Sequence, residues 1–177
     1  MNQSEQLLKE FFSALGTPEY GFLMLEPIFV YGIGLGLVIF LFALIVREQK
    51  SQMFGLILIA GCAMMIGPYL NRRGAAEKRI VQVYQIDQPD RAEGFVEKTK
   101  NRRSAKWLYY LTAAVAIGAL LVGGKNKVGT GLTIATILLA LGTVFFSSVI
   151  HYNEAKLYHP NLRAPPGPMQ YSSDSLR

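Results

Sequence analysis

Long apolar blocks alternate with polar blocks along this chain, and the apolar blocks predict helices that cross a membrane. Segments without any charged residue occupy positions 27–46, 53–70, 107–124 and 128–150. A helix rises ~1.5 Å per residue, so lengths of ~17–25 residues suffice to cross a hydrocarbon core of ~30 Å. Very short polar turns join the first segment to the second and the third to the fourth. The pattern therefore predicts an all-α integral membrane protein with two tight transmembrane hairpins, 27–70 and 107–150.

The N-terminal segment, 1–26, has a helical pattern of a different kind. One apolar stripe at helical spacing is formed by Leu7, Leu8, Phe11, Phe12 and Leu15. Gly16 and Pro18 are helix stop signals, and Pro27 suits the first turn of the next helix. The pattern predicts a short amphipathic helix followed by a connection. Because the helix lacks a basic face, docking on a neighbouring protein competes with lying on the membrane surface.

The charged segment 71–106 separates the two hairpins and holds ten of the eighteen Lys and Arg residues. Apolar positions recur at helical spacing on both sides of a break at 87–90, where Pro89 can begin a new helix. We expect a small cytoplasmic helical hairpin that extends the second and third spans. The last segment, 151–177, is expected to continue the fourth helix briefly and then to form a Pro-rich cytoplasmic tail.

Basic residues predict the orientation of the chain. Four spans place both termini and 71–106 on one side, which then carries fourteen Lys and Arg against four on the other. The positive-inside rule assigns that side to the cytoplasm. The same rule accounts for the net charge of +6 without a nucleic-acid partner. No targeting signal is apparent, which favours a bacterial inner membrane.

Small residues recur four positions apart in every predicted span. This spacing lets two helix backbones approach closely in lipid, so the pairs are candidates for helix packing. The pairs are Gly32 with Gly36, Ala63 with Gly67, Ala114 with Gly118, and Gly131 with Ala135.

Basic and aromatic residues cluster at the ends of the second and third spans. Such residues suit the headgroup layer, where a base contributes ~1 kcal/mol near anionic lipid. The candidates for contact with lipid headgroups or with a partner are Arg72, Arg73, Arg102, Arg103, Trp107, Tyr109 and Tyr110.

Candidate chemistry is sparse. No span contains Asp, Glu, Lys, Arg or His, the residues that usually mark an ion or proton path. His151 and His159 both lie at or beyond one end of the fourth span, so one chain cannot supply two haem ligands from facing helices. Cys62, the one cysteine, is expected to pack in the bilayer. We predict no catalytic, cofactor-binding or metal-binding residue, although His151 could ligate haem together with a partner subunit.

These features favour a non-catalytic protein, an accessory or scaffold subunit of a larger membrane complex. Its expected partners are the lipid bilayer and other membrane subunits or further copies of itself. The alternative is a small transporter or channel built from several copies, and a haem or redox subunit is the third hypothesis. A path through several copies would be lined by hydroxyl residues of the fourth span, namely Thr130, Thr133, Thr136, Thr143, Ser147 and Ser148.

Overall fold

The computed structural model describes residues 3–87, 89–124 and 126–158, which form six helices and no β-strand. The helices are α1 Gln3–Gly16, α2 Pro18–Val46, α3 Gln49–Met64, α4 Ile66–Asp87, α5 Pro89–Val122 and α6 Lys127–Tyr158. The all-α class is confirmed for the described residues. The predictions for the Pro-rich tail and for His159 fall on 159–177, outside these residues.

The helices confirm four stretches that are long and apolar enough to cross a membrane. By length and composition they are Pro18–Val46, Gln49–Ile86, Pro89–Val122 and Lys127–Ala155. The second stretch combines α3 and α4. These helices are compatible with a multi-pass integral membrane protein.

Helix α2 begins earlier than its sequence indicates, and the predicted start at Pro27 is wrong. Pro18 occupies the first turn after Thr17, while Pro27 lies inside the helix. A proline inside a helix removes one backbone hydrogen bond. Here the additional turns bury Phe22 edge-on against the rings of Tyr69 and Phe95, with ring centroids 6.1 Å apart in both pairs. This packing offsets the lost bond, and it places Glu26 within the helix.

Two breaks define the ends of α3. Arg47 adopts a left-handed conformation with φ 59°, and Ser51 N–H then donates to the Glu48 carboxylate at 2.7 Å, which caps the helix. The bonds from Ser51 hold the pKa of Glu48 below its ordinary value. At the other end, α3 and α4 are separated at Met65, because Pro68 cannot donate to the carbonyl four residues before it. The predicted second span, 53–70, is therefore divided between two helices.

The bundle is built around α2, α3 and α5. Helix α2 packs along α3, α5 packs along α6, and α3 and α4 both contact α5. At the centre, Phe29, Ile33 and Ile59 are fully buried. Beyond the apolar core, α4 and α5 continue side by side toward Asp87 and Pro89.

The small residues of the first two pairs lie in helix contacts. A Cβ added at Gly32 would clash with the Cys62 sulfur, and one added at Gly36 would lie 3.0 Å from the backbone nitrogen of Ile59. Ala63 is fully buried, and a Cβ at Gly67 would lie 2.9 Å from the Tyr110 hydroxyl.

The other two pairs are placed differently along α5 and α6. Gly118 faces Leu132, with 3.6 Å between an added Cβ and the nearest Leu132 methyl. Ala135 is half-buried and Ala114 is exposed. Nothing among the described residues lies within 4 Å of a Cβ added at Gly131. Close helix contact through small residues therefore lies mainly between α2 and α3 and where α4 meets α5.

Candidate functional site

Four charged side chains from four helices meet inside the bundle, one to five positions outside the uncharged segments. They are Glu26 of α2, Arg73 of α4, Arg102 of α5 and Glu154 of α6, and together we call them the ion cluster. Arg73 and Arg102 are only 2% exposed, and Glu154 is 5% exposed. Charged residues are almost never buried to this degree unless they are paired. The cluster is therefore the main polar feature of the described interior.

Arg102 connects three helices through its guanidinium group. Its Nε donates to Glu154 Oε1 at 3.0 Å, and its Nη2 donates to Glu154 Oε2. The same Nη2 also donates to Glu26 Oε1. The two bonds to Glu154 form the planar fork that arginine makes with a carboxylate. Arg102 thereby ties α5 to both α6 and α2.

Arg73 completes the connection from α4. Its Nε donates to the Thr99 hydroxyl at 2.8 Å, and its Nη1 donates to the Tyr69 hydroxyl at 2.6 Å. Its Nη2 lies 3.0 Å from Glu154 Oε1 as an ion pair. Thr99 in turn donates to the carbonyl of Phe95 at 2.8 Å, so its hydroxyl is oriented to accept from Arg73. Glu154 is thus shared by both arginines.

Aromatic rings enclose the two guanidinium groups. Arg73 lies over the ring of Phe95 at 4.5 Å from its centroid and within 5.6 Å of Phe22. Arg102 lies 5.3 Å from the Tyr69 ring. The ring faces attract cations, and their apolar bulk excludes water. Electrostatic interactions within the cluster are stronger in such surroundings than at a wet surface.

The cluster is balanced in formal charge but not in hydrogen bonds. Its two arginines match its two glutamates. Among the described residues, however, Arg102 Nη1 is buried without a hydrogen-bond acceptor, and Arg73 Nη2 has only its ion-pair contact with Glu154 Oε1 at 3.0 Å. A buried donor without an acceptor costs about 1–3 kcal/mol. Every charged side chain of the cluster is therefore paired, but not every N–H group of its arginines has an acceptor.

A metal ion fits this arrangement poorly. Oxygen and nitrogen atoms of Glu26, His151 and Glu154 lie within 4.8 Å of one another, which is a possible ligand spacing. His151 Nδ1 lies 3.2 Å from Glu26 Oε1. Arg102 Nη2, however, already binds both carboxylates and occupies the place of a cation between them. Glu26 and Glu154 are therefore better explained as partners of Arg102, and His151 as a partner of Glu26, than as metal ligands.

A cavity of about 580 Å³ adjoins the cluster. Helices α2, α4, α5 and α6 all contribute to its walls. Arg73, Glu26 and Glu154 are its charged lining residues on the cluster side. A second ion pair, Glu19 with Arg79 at 3.2 Å, also lines it, and Arg79 is largely exposed. Most of the remaining wall is apolar or aromatic, with Phe22, Leu23, Tyr20, Ile80, Val83, Tyr84 and Phe95 as its members.

The seven residues predicted to contact headgroups or a partner fall into an exposed group and a buried group in the structure. Arg72, Arg103, Trp107 and Tyr110 have exposed side chains, and for them that contact stays a prediction. Arg73, Arg102 and Tyr109 lie inside the bundle instead. The physical reason is that neighbouring helices supply carboxylates and hydroxyls that bind them.

Two of the six hydroxyl residues of the fourth span, Thr143 and Ser147, bond to α5 within the same chain. Tyr109 and Ser147 hydroxyls are 2.6 Å apart, and those of Thr112 and Thr143 are 2.8 Å apart. Thr136 is fully buried and donates to the carbonyl of Leu132. Thr133 is half-buried, whereas Thr130 and Ser148 are exposed and donate to the carbonyls of Asn126, just before α6, and Val144. Thr143 and Ser147 therefore join α6 to α5 within one chain, whereas Thr136 bonds back to its own helix.

The pair between Tyr109 and Ser147 permits a direct test of this contact. We expect Tyr109→Phe to lower the free energy of unfolding by about 0.5–1.5 kcal/mol, because the Ser147 hydroxyl loses a buried partner. Equilibrium unfolding in mixed micelles, followed by circular dichroism, measures the change. Ser148→Ala removes only an exposed bond to the carbonyl of Val144 and serves as the control, with no change above about 0.5 kcal/mol.

Glu26 and Glu154 are the members of the site that sequence patterns miss. Both lie just outside an apolar segment, where a carboxylate is read as solvated. The signal in the sequence is that these two glutamates, like Arg73 and Arg102, lie next to the span ends on the side predicted to hold both termini. The chain matches no protein-family model, no curated protein and no solved structure. The chemistry of these residues therefore carries the functional argument, and it consists of ion pairing and hydrogen bonding rather than activation of a nucleophile.

Proposed function

We propose that the protein is a non-catalytic subunit of the bacterial inner membrane, with an accessory or scaffold role in a larger complex. The ion cluster is the observation that carries this proposal. Each carboxylate of the cluster is bound by a guanidinium from another helix, so the charges bind one another. Such a cluster stabilises one arrangement of four helices, as a scaffold requires.

The proposed topology has two transmembrane hairpins with both termini in the cytoplasm. The ion cluster and the extension formed by α4 and α5 then lie on the cytoplasmic side. The excess of basic residues on that side supports this orientation.

Helix α1 is the proposed contact for a neighbouring subunit. Its apolar stripe is uncovered, with Leu7 61%, Leu8 56%, Phe11 45% and Phe12 66% exposed. Among the described helices, α2 alone contacts α1 beyond isolated residue pairs, and that contact is small. An amphipathic helix with an uncovered apolar face can pack into an apolar groove of a partner. We therefore assign the stripe to a membrane subunit with such a groove.

Co-purification in mild detergent tests the proposal. We expect the wild-type chain to elute with other membrane proteins, and we expect Leu8→Glu with Phe12→Glu to release them, because two charges enter the apolar stripe. Quantitative mass spectrometry of the eluates measures the change, with an expected loss of at least tenfold. The matched control, Gln6→Glu with Ser13→Glu, places the same charges on the opposite face of α1 and should retain the partners.

Two results would contradict the subunit role. One is a wild-type chain of 19.6 kDa that elutes without other proteins. The other is a stripe variant that retains every partner of the wild type.

Neither alternative function gains support from a described contact. A channel through several copies needs the hydroxyls of α6 on a shared axis, but three of the six, Thr136, Thr143 and Ser147, are fully buried within one chain. For a haem site, His151 contacts Glu26 through Nδ1 at 3.2 Å, which leaves Nε2 open, but the described residues hold no second histidine to complete the ligation. The scaffold role therefore stands as the proposal.

A further inference from the structure

A second cavity, of about 920 Å³, lies at the end of the bundle that carries the two tight turns. Helices α2, α3, α5 and α6 all contribute to its walls, and the ion cluster lies toward the opposite ends of these helices. Its volume is within the range of small-molecule sites, roughly 300–1,000 Å³. The cavity is therefore large enough for a ligand, and its lining decides which kind fits.

The lining changes from polar to apolar with depth. Arg47 and Gln49 lie at the rim, directly after the uncharged segment 27–46. Phe40 lies seven residues before Arg47, ~10 Å deeper along α2, and Leu56 lies equally far below Gln49 along α3. Phe40 is 1% exposed and Leu56 is 6% exposed. A molecule with a polar head and an apolar chain matches this gradient.

The charge at the rim favours an acidic head group. Among the described residues that line the cavity, Arg47 alone is charged. Its side chain is exposed, and no described residue forms a hydrogen bond or ion pair with it. The neighbouring acid, Glu48, accepts from Ser51 N–H and does not line the cavity. A carboxylate or phosphate can therefore reach the guanidinium group, which binds such oxygens through two parallel hydrogen bonds.

Two lysines add positive charge at the same end of the bundle. Lys50 lies in the first turn of α3 and Lys127 begins α6, and both are exposed. Basic side chains around the mouth of a cavity raise the local concentration of anions. They therefore act in the same direction as Arg47.

We propose that this cavity binds an acidic amphiphile whose anionic oxygens accept hydrogen bonds from Arg47. Its acyl chain packs against Phe40, Leu56 and Leu120, which line the deeper part of the cavity. Two sources share this chemistry, a fatty acid with its carboxylate and an acidic glycerophospholipid with its phosphate. The site is remote from the stripe on α1, so its failure would leave the subunit role standing.

Thermal unfolding of the purified full chain in an uncharged detergent tests the proposal with defined probes. The acidic probes are decanoate and dioctanoyl phosphatidate. Dioctanoylglycerol has the same chains as the phosphatidate without its charge, and inorganic phosphate has the charge without the chains. At about ten times its dissociation constant, a bound probe should raise the unfolding midpoint by about 3–6 °C. We expect this increase with at least one acidic probe, which identifies the source, and with neither of the other two.

A substitution at the rim tests the role of the guanidinium group. Arg47→Asn removes it, and asparagine tolerates the left-handed conformation that Arg47 adopts with φ 59°. We expect this variant to lose the shift. Arg103→Gln is the control, because it removes the same charge from an exposed position of α5 that does not line the cavity, so the shift should persist.

Variants that fill the cavity show where the acyl chain binds. Leu120→Trp and Thr133→Trp add bulk to the walls from α5 and α6, and either one should abolish the shift. If one variant does not fold, the other provides the same test. Ile134→Trp is the control, because Ile134 is adjacent to Thr133, is 54% exposed and does not line the cavity.

Three outcomes would overturn the proposal. They are the absence of a shift with both acidic probes, an equal shift with dioctanoylglycerol or inorganic phosphate, and a shift that persists in Arg47→Asn or in both filling variants. A shift confined to the acidic probes, and lost in Arg47→Asn and in a filling variant, would support it.

Discussion

Glu154→Gln is expected to lower the free energy of unfolding by about 3–5 kcal/mol, the largest effect of any single substitution that we predict. Glutamine keeps the shape of the side chain but removes the charge shared by Arg73 and Arg102. Both guanidinium groups would stay buried, and Glu26 alone would oppose them. Equilibrium unfolding in mixed micelles measures the loss.

A surface ion pair of the same chain provides the control for this substitution. Glu19 binds Arg79 at 3.2 Å, but the Arg79 side chain is 74% exposed. Water already solvates that arginine, so Glu19→Gln should cost less than about 1 kcal/mol. Equal losses in the two variants would show that burial adds nothing to the ion cluster.

Gly55→Ala is expected to have the second largest effect, a loss of about 1–3 kcal/mol. A Cβ at Gly55 would lie 2.8 Å from the Phe40 Cβ and 2.9 Å from its Cα and nitrogen. Phe40 is 1% exposed, and two of these atoms belong to the backbone, so a rotamer change cannot relieve the contact. Helices α2 and α3 would have to separate. The same unfolding measurement in mixed micelles records the change.

Gly61 is the matched control on the same helix. Nothing described lies within 4 Å of a Cβ added there. Gly61→Ala should therefore leave stability unchanged or raise it by up to about 1 kcal/mol, because alanine favours the helix over the unfolded chain. A loss for Gly61→Ala as large as that for Gly55→Ala would contradict the close approach of α2 to α3.

The sequence predicts the helices well and their first residues less well. A long segment without charge has few alternatives to a spanning helix, so the four candidate spans follow from length and composition. The start of α2 does not, because Pro18 and Pro27 both suit a first turn. The packing of Phe22 between Tyr69 and Phe95 decides for Pro18, and spacing along one helix does not reveal it.

Which residues form the ion cluster depends on how each helix is rotated about its own axis, and composition does not reveal that rotation. Arg72 and Arg73 are adjacent in sequence, yet Arg72 is exposed while Arg73 is buried. Arg102 and Arg103 differ in the same way. Only the mutual positions of α2, α4, α5 and α6 show which arginine of each pair meets Glu26 and Glu154.

A double-mutant cycle on Arg102 and Glu154 tests most directly whether the buried ion cluster holds the helices together. The variants are Arg102→Met, Glu154→Gln and the two combined, each unfolded at equilibrium in mixed micelles. Because the two side chains bind each other directly, the combined variant should lose about 2 kcal/mol less than the sum of the single losses. A coupling energy near zero would contradict the ion cluster as the element that joins these helices.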